Sequence, residues 1–183
     1  MANDFRVRMT QNLIKESFLE LLEQKPLRAI TVKELAAKAH INRATFYAHY
    51  ENIYTLLDDI KNEFVSGLMG SIDAFTNDDS IEELFRTICR YAADHLKHCR
   101  LLFGKNGDFG LASHIVELVR PRTIALWKEA GGRDEEKLNY HYTFVAYGGL
   151  AVIRDWVQSG ARQSPEYIAD FIVQNGKKDI LQY

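Results

Sequence analysis

Apolar residues recur along this chain at helical spacing almost from end to end. In the opening segment Val7, Ile14, Phe18, Leu21 and Leu22 fall near multiples of about 3.6 residues, so a helix from near Asp4 to about Gln24 puts them on one stripe. Pro26 ends it, since proline lacks an N–H and clashes with the preceding turn. Thr31-Val-Lys-Glu34 has the spacing of a capping box and predicts a short helix, Val32 to Ala39, with Leu35 and Ala36 inward. His40-Ile41 reads as a turn, and Asn42 as the cap of a third helix from Arg43 to about His49. A longer helix is expected from about Asn52 to Phe75. Thr76 to Ser80 is a turn whose last residue, with Glu83, forms a second capping box and opens a helix from about Ile81 to Leu102. After a glycine-rich connection at Gly104 to Gly110, helical periodicity runs from Leu111 to Ala130, with a kink expected at Pro121. Gly131-Gly132 interrupts it. Two more helices follow, from about Asp134 to Ser159 and from Ser164 to about Gly176. No segment alternates with the period of a strand, so the fold class is all-α.

Three short helices, the second and third joined by a tight turn, make a helix-turn-helix. Ala36 and Ala39 let those two helices cross closely, while Ile41 and Phe46 fill the wedge between them. The chain divides accordingly into a helix-turn-helix DNA-binding domain, residues 1–51, and a helical ligand-binding and dimerisation domain, residues 52–183. A recognition helix presents polar side chains to the major groove near its N-terminus. Asn42, Arg43, Ala44, Thr45 and His49 fall there. Arg43 has the fork geometry to pair bidentately with guanine, and Thr45 carries a methyl for thymine. Tyr47 and Thr31 suit phosphate oxygens, and Arg6 and Arg8 suit a basic arm. Taken one residue at a time, these are equally the solvated polar faces of a small bundle; Phe46 and Tyr50 belong to its core.

Charge sharpens the division. The net charge of −2 argues against a nucleic-acid partner, but residues 1–50 hold eight Lys/Arg against five Asp/Glu, leaving −5 for residues 51–183. A mildly basic head on an acidic body suits a protein that offers one end to phosphates. No apolar run approaches the ~18–20 residues that cross a bilayer. Met1 to Arg8 lacks the apolar core of an export signal, so a cytoplasmic home with no membrane partner is expected. Cys89 and Cys99, ten residues apart on one expected helix, lie ~15 Å apart and cannot bridge.

The stretch Ile30-Thr-Val-Lys-Glu-Leu-Ala-Ala-Lys-Ala-His-Ile-Asn-Arg-Ala-Thr-Phe-Tyr-Ala-His-Tyr50 resembles the headpiece of the TetR family of bacterial regulators. Thr31, Ala36, Ala39, Thr45, Phe46, Tyr47, His49 and Tyr50 fill the places of that pattern. The resemblance covers about a quarter of the chain; Trp156 and the Gly-Gly of the penultimate helix extend it more loosely. Two positions depart from it. His40 stands where the family's turn has glycine, and Ile53 where a lysine usually meets phosphate. The resemblance implies a homodimeric transcriptional regulator, more often a repressor than an activator, bound to a palindromic double-stranded DNA operator and controlled by a small-molecule effector that tilts the fourth helix. Ile53 and the small basic excess motivate an alternative, a co-regulator that binds DNA weakly and acts through a partner protein.

Other patterns are weaker. His95, His98 and Cys99, at i, i+3 and i+4, would offer a metal three ligands from one helix face, but such residues are more often packing, and no metal or cofactor is expected. Asp108-Phe109-Gly110 matches a kinase tripeptide by chance, since the remaining kinase motifs are missing. No nucleophile-base set or carboxylate pair suggests an enzyme. Phe103, Phe109, Trp127, Tyr140, His141, Phe144 and Tyr147 form an aromatic set that would line an effector pocket, or simply a core. Gly148-Gly149 within a helix costs ~1 kcal/mol per glycine and suggests a close helix approach. With Val152, Trp156, Ile168, Phe171 and Ile172 it is the expected dimer interface, built as a four-helix contact.

Overall fold

The computed structural model describes residues 2–74, 80–103 and 109–176, with side chains at 5–74, 80–100 and 110–176. Every regular element in these residues is helical: α1 (Ala2–Gln24), α2 (Val32–Lys38), α3 (Arg43–Tyr47), α4 (Ile53–Asp73), α5 (Ile81–Asp94), α6 (Leu96–Phe103), α7 (Phe109–Glu129), α8 (Glu135–Gln158) and α9 (Pro165–Gly176), with a 3₁₀ turn at Leu27–Ala29. The chain forms two compact units, Met1–Phe64 and Val65–Tyr183. The division falls inside α4, later than the sequence boundary at 51/52, because Leu56, Ile60 and Phe64 on its first three turns are buried like the rest of the headpiece core.

In the first unit α1 buries Ile14, Phe18, Leu19 and Leu21. The expected stripe differs at its ends: Val7 is exposed, Leu22 is half-buried and Leu19 completes the face. Residues 5–9 are all exposed, so the first turns of α1 have no core to reach. Phe18, Leu35 and Phe46 are fully buried, each worth about 1.5–3 kcal/mol in apolar transfer. Polar contacts fix α1 against its neighbours. The Lys15 ammonium lies 2.6 Å from Glu63 and 2.9 Å from Asp59. The Tyr50 hydroxyl donates to the same Asp59 carboxylate at 2.9 Å. Lys38 pairs with Glu20 at 2.7 Å, and Lys25 with Glu34.

In the second unit Leu68, Ile72, Leu84, Val119 and Leu126 pack as one buried cluster. Helices α5 and α9 are tied by charge. Arg86 donates through Nε and Nη2 to Asp170 at 3.2 and 2.9 Å, and Arg90 bridges Glu166 at 2.9 Å and Glu83 at 2.7 Å. The second capping box forms, with the Ser80 hydroxyl accepting from the Glu83 N–H at 3.2 Å. The expected helix from Ile81 to Leu102 is two helices, broken at His95, whose φ and ψ are −120° and 37°. The His95 ring stacks on Tyr91 at 4.0 Å with Nδ1 2.9 Å from the Tyr91 carbonyl and lies 5.8 Å from the His98 ring, while Cys99 is fully buried. Burial pushes both the Cys89 and Cys99 thiols up to about 12, which keeps them protonated and unreactive. Pro121 sits inside α7, within the single run of helical periodicity. Gly131 ends that helix with φ of 109°, and Gly160 and Ala161 turn the chain after α8 with φ of 99° and 51°.

The pair Gly148-Gly149 splits by face. A side chain on Gly149 would meet Ile172 at 3.2 Å and Phe85 at 3.7 Å, so the close approach it allows is to α9 and α5 of its own chain. A side chain on Gly148 would meet nothing. Trp156, Ile168 and Ile172, also assigned from sequence to a dimer contact, lie in the core of the subunit, and the Trp156 indole donates to the Gln163 carbonyl at 3.0 Å.

The Lys15 network makes the headpiece sensitive to acid. Burial alone would raise the Asp59 carboxyl, but hydrogen bonds from Lys15 and Tyr50 outweigh it and hold the group below its ordinary value of 3.8. A carboxyl lowered on folding contributes stability above its unfolded value, and the contribution is lost as pH falls through the folded one. Asp59→Asn should therefore cost about 1 kcal/mol at pH 7, a figure discounted because the Asp59 side chain is 44% exposed. In urea denaturation the gap between the two proteins should close below about pH 4. An equal gap at pH 7 and pH 3 would show that Asp59 acts by shape and not by charge.

Candidate nucleic-acid interface

The headpiece builds its recognition helix from three local devices. Thr31 starts α2, its hydroxyl accepting from the Glu34 N–H at 3.3 Å. At the other end of α2 the Ile41 N–H reaches the Ala36 carbonyl at 2.9 Å and the His40 N–H reaches that of Ala37 at 3.3 Å. That pair of bonds is a Schellman turn, which requires a left-handed residue between the helices. His40 supplies it with φ of 53°, the conformation expected of the glycine it replaces, at a modest steric cost. Asn42 then caps α3, accepting from the Thr45 N–H at 2.7 Å and the Thr45 hydroxyl at 3.0 Å.

This geometry sorts the expected DNA-binding residues. Asn42, Arg43, Ala44 and Tyr47 are exposed, as is Thr31 at the start of α2. Thr45 and His49 are half-buried. The Thr45 hydroxyl is engaged with Asn42, which leaves its methyl for outside contact, while the Asn42 side chain keeps its amide donors. His49 leans on Tyr50 with ring centres 6.4 Å apart. Phe46 and Tyr50 lie in the core as expected, 5.8 Å apart. Ile53, read from sequence as a phosphate-facing place without its lysine, is only 8% exposed and belongs to the headpiece core. The exposed side chain of that opening turn is its neighbour Tyr54, which the pattern of apolar residues did not single out.

The body's expected aromatic set does not stay together. Trp127 is buried, with its indole N–H unpartnered among the described residues, and lies 4.9 Å from the half-buried His141 ring. His141 Nε2 donates to the Gly176 carbonyl at 2.6 Å. Tyr147 is half-buried. Tyr140 and Phe144, 70% and 76% exposed, stand on the outer face of α8 and line no interior pocket with Trp127. The reason is register: Leu138, Tyr142, Val145 and Gly149 take the inward face, and residues 140 and 144 fall opposite. The side chains of Phe103 and Phe109 lie outside the described residues. Tyr142, absent from the expected set, is a core residue that donates its hydroxyl to the Val116 carbonyl and carries Arg120 over its ring at 4.5 Å. On the outer side of α8 and α9 an apolar groove of about 280 Å³ is lined by Phe144, Gly148, Val152, Phe171, Asn175 and neighbouring residues.

A capped recognition helix on a three-helix headpiece, followed by a larger helical body, defines a helix-turn-helix transcriptional regulator. Residues 17–60 match the family model of bacterial regulatory proteins of the tetR family, and residues 79–177 match that of a transcriptional regulator C-terminal region. The chain belongs to the TetR family of DNA-binding regulators. It is 33% identical over 175 residues to an uncharacterized HTH-type transcriptional regulator, YxbF, of Bacillus subtilis (strain 168). That alignment covers 93% of this chain, and the chain spans 45% of the relative's length. The fold is also that of the dihydroxyacetone kinase operon activator DhaS (TM-score 0.62, 18% identity, 95% of this chain and 97% of that one). It matches a Thermus thermophilus FadR, a transcriptional repressor solved with lauroyl-CoA (TM-score 0.59, 17% identity, 91% and 92%). Among the described residues, no helix is long and apolar enough to cross a membrane and no group of three His, Cys, Asp or Glu gathers to hold a metal.

Arg43 is the exposed fork at the start of the recognition helix. Arg43→Ala is expected to cost about 1–3 kcal/mol of specific DNA binding and to relax preference at one base pair per half-site. Competition between single-base operator variants measures it, and uniform weakening on every sequence would show that Arg43 touches only phosphate.

Proposed function

We propose that this chain acts as a homodimeric repressor whose grip on a palindromic operator is set by a small-molecule effector in the body. The observation that carries the DNA reading is the exposed cluster of Asn42, Arg43, Ala44 and Tyr47 on a helix capped at its start and held by buried Phe46. Thr31, Thr45 and His49 complete the proposed DNA set. Helix α4 contributes to both compact units, so an effector that displaced its body half would carry its headpiece half with it and change the spacing of the recognition helices. Half-sites lie ~34 Å apart, and a mismatch of a few ångströms weakens binding. Trp127 and His141 are the pair we place nearest the effector, an unpartnered buried donor beside a half-buried imidazole. The Thermus FadR, a repressor in complex with lauroyl-CoA, supports an effector that carries an apolar chain. DhaS is an operon activator, so the direction of control is decided by a reporter assay. An electrophoretic shift with the DNA upstream of the chain's own gene tests operator binding. No shift with the purified protein, and a shift only when a second protein is added, would favour the co-regulator reading.

The dimer contact is best placed on the outer face of α8 and α9. Phe144 and Phe171 stand exposed there beside Gly148 and half-buried Val152, an aromatic pair next to a shallow hole that suits a self-complementary two-fold contact. Phe144→Asp should convert the protein to a monomer in sedimentation at low micromolar concentration, while its far-UV circular dichroism remains that of the folded subunit. Gly149→Leu should behave differently, destabilising the subunit by about 1–3 kcal/mol because the new side chain meets Ile172 and Phe85 of the same chain. A Phe144→Asp protein that remains dimeric would move the interface elsewhere.

A further inference from the structure

Between Arg43 and Lys61 the chain has no lysine or arginine. The end of the recognition helix and the start of α4 therefore offer a phosphate wall only neutral donors and His49. Three tyrosines fall in that stretch. Tyr50 is buried and spends its hydroxyl on Asp59. Tyr47 and Tyr54 are 57% and 61% exposed, and neither hydroxyl meets a protein acceptor among the described residues. An exposed tyrosine joins an apolar ring to a hydroxyl that can donate to an acceptor outside the protein.

The backbone under Tyr54 is held by a side-chain cap. The Asn52 side-chain oxygen accepts from the N–H groups of Tyr54 and Thr55 at 2.8 and 3.1 Å, and the Thr55 hydroxyl accepts from the Asn52 N–H at 3.2 Å. Ile53 turns into the core beside it. The turn leading there is compact, with the N–H groups of His49 and Tyr50 both reaching the Phe46 carbonyl at 2.9 Å. Tyr54 thus stands at the capped start of α4, one short turn after the recognition helix ends. Exposed Glu51 in the same turn makes the site unsuited to gripping by net charge, but a neutral hydroxyl donates to a phosphate oxygen regardless.

We propose that Tyr54 is a second phosphate-gripping tyrosine, acting with Tyr47 so that the α3–α4 turn holds the DNA backbone through neutral hydroxyl donors. The proposal rests on the reading that this headpiece binds DNA. It implies a shallow salt dependence for this edge of the contact, because a hydroxyl releases no counterion.

The test measures dissociation constants of the full chain and its Tyr47→Phe, Tyr54→Phe and Tyr54→Lys variants at several salt concentrations. Two duplexes of equal length are used, one from upstream of the chain's own gene and one of scrambled sequence. Tyr54→Phe should weaken both by about 2- to 10-fold per subunit, with an unchanged salt slope and an unchanged melting temperature. Tyr54→Lys should recover the affinity and steepen the slope of log K against log salt by about 0.9 per subunit. Wild-type affinity in Tyr54→Phe, or a loss confined to the upstream duplex, overturns the proposal while leaving DNA binding intact. An unaltered protein that binds neither duplex overturns the DNA reading and this proposal together.

Discussion

A helix of five residues has no stability of its own, since the first turn fixes several dihedrals for a single hydrogen bond. Everything this headpiece does depends on holding such a helix still. The restraint comes from Phe46, fully buried and packed 5.8 Å from the buried Tyr50 ring. Tyr50 in turn reaches Asp59 on α4, and Asp59 reaches Lys15 on α1. The recognition helix is therefore anchored at one apolar point and tied to two longer helices through one chain of charge-assisted contacts. With that anchor in place, the caps at Asn42 and Thr31 set where each helix begins, and the left-handed His40 sets the angle between them.

The anchoring also decides which side chains of the recognition helix face outward. Burying Phe46 turns Arg43, Ala44 and Tyr47 outward, and the Asn42 cap consumes the Thr45 hydroxyl. The same logic operates at the start of α4. Turning Ile53 into the core turns Tyr54 out, so a position that lacks a charged phosphate contact has an aromatic hydroxyl beside it.

The body follows a different constraint, the sharing of α8 between two faces. Leu138, Tyr142, Val145, Gly149, Ile153 and Trp156 fill the interior, and Gly149 lets α9 come close enough for Ile172 to pack on the helix backbone. The opposite face keeps Tyr140, Phe144 and Gly148 in solvent. Ion pairs from Arg86 and Arg90 hold α9 against α5 at the same time. An aromatic cluster that looked continuous in one dimension is therefore two clusters on opposite sides of one helix.

Much of the headpiece was legible in the residues alone because its signals are local. Capping boxes, a cap such as Asn42 and the helical spacing of Ile14, Phe18 and Leu21 act within a turn or two, and the strain at His40 follows from a single φ. The helix break at His95 was not legible, since the periodicity continues across it and the stacking of the His95 ring on Tyr91 leaves no local signal in the sequence. The sequence determined that the chain is helical, where most helices start, and which three-helix unit carries the DNA chemistry. Tertiary structure alone decided that Gly149, Trp156 and Ile172 serve the subunit's own core while Phe144 and Phe171 remain outside, that Ile53 is inward and Tyr54 outward, and that Lys15 meets Asp59. These are contacts between residues far apart in the chain, and one helical stripe specifies which residues share a face but not which neighbour that face will meet.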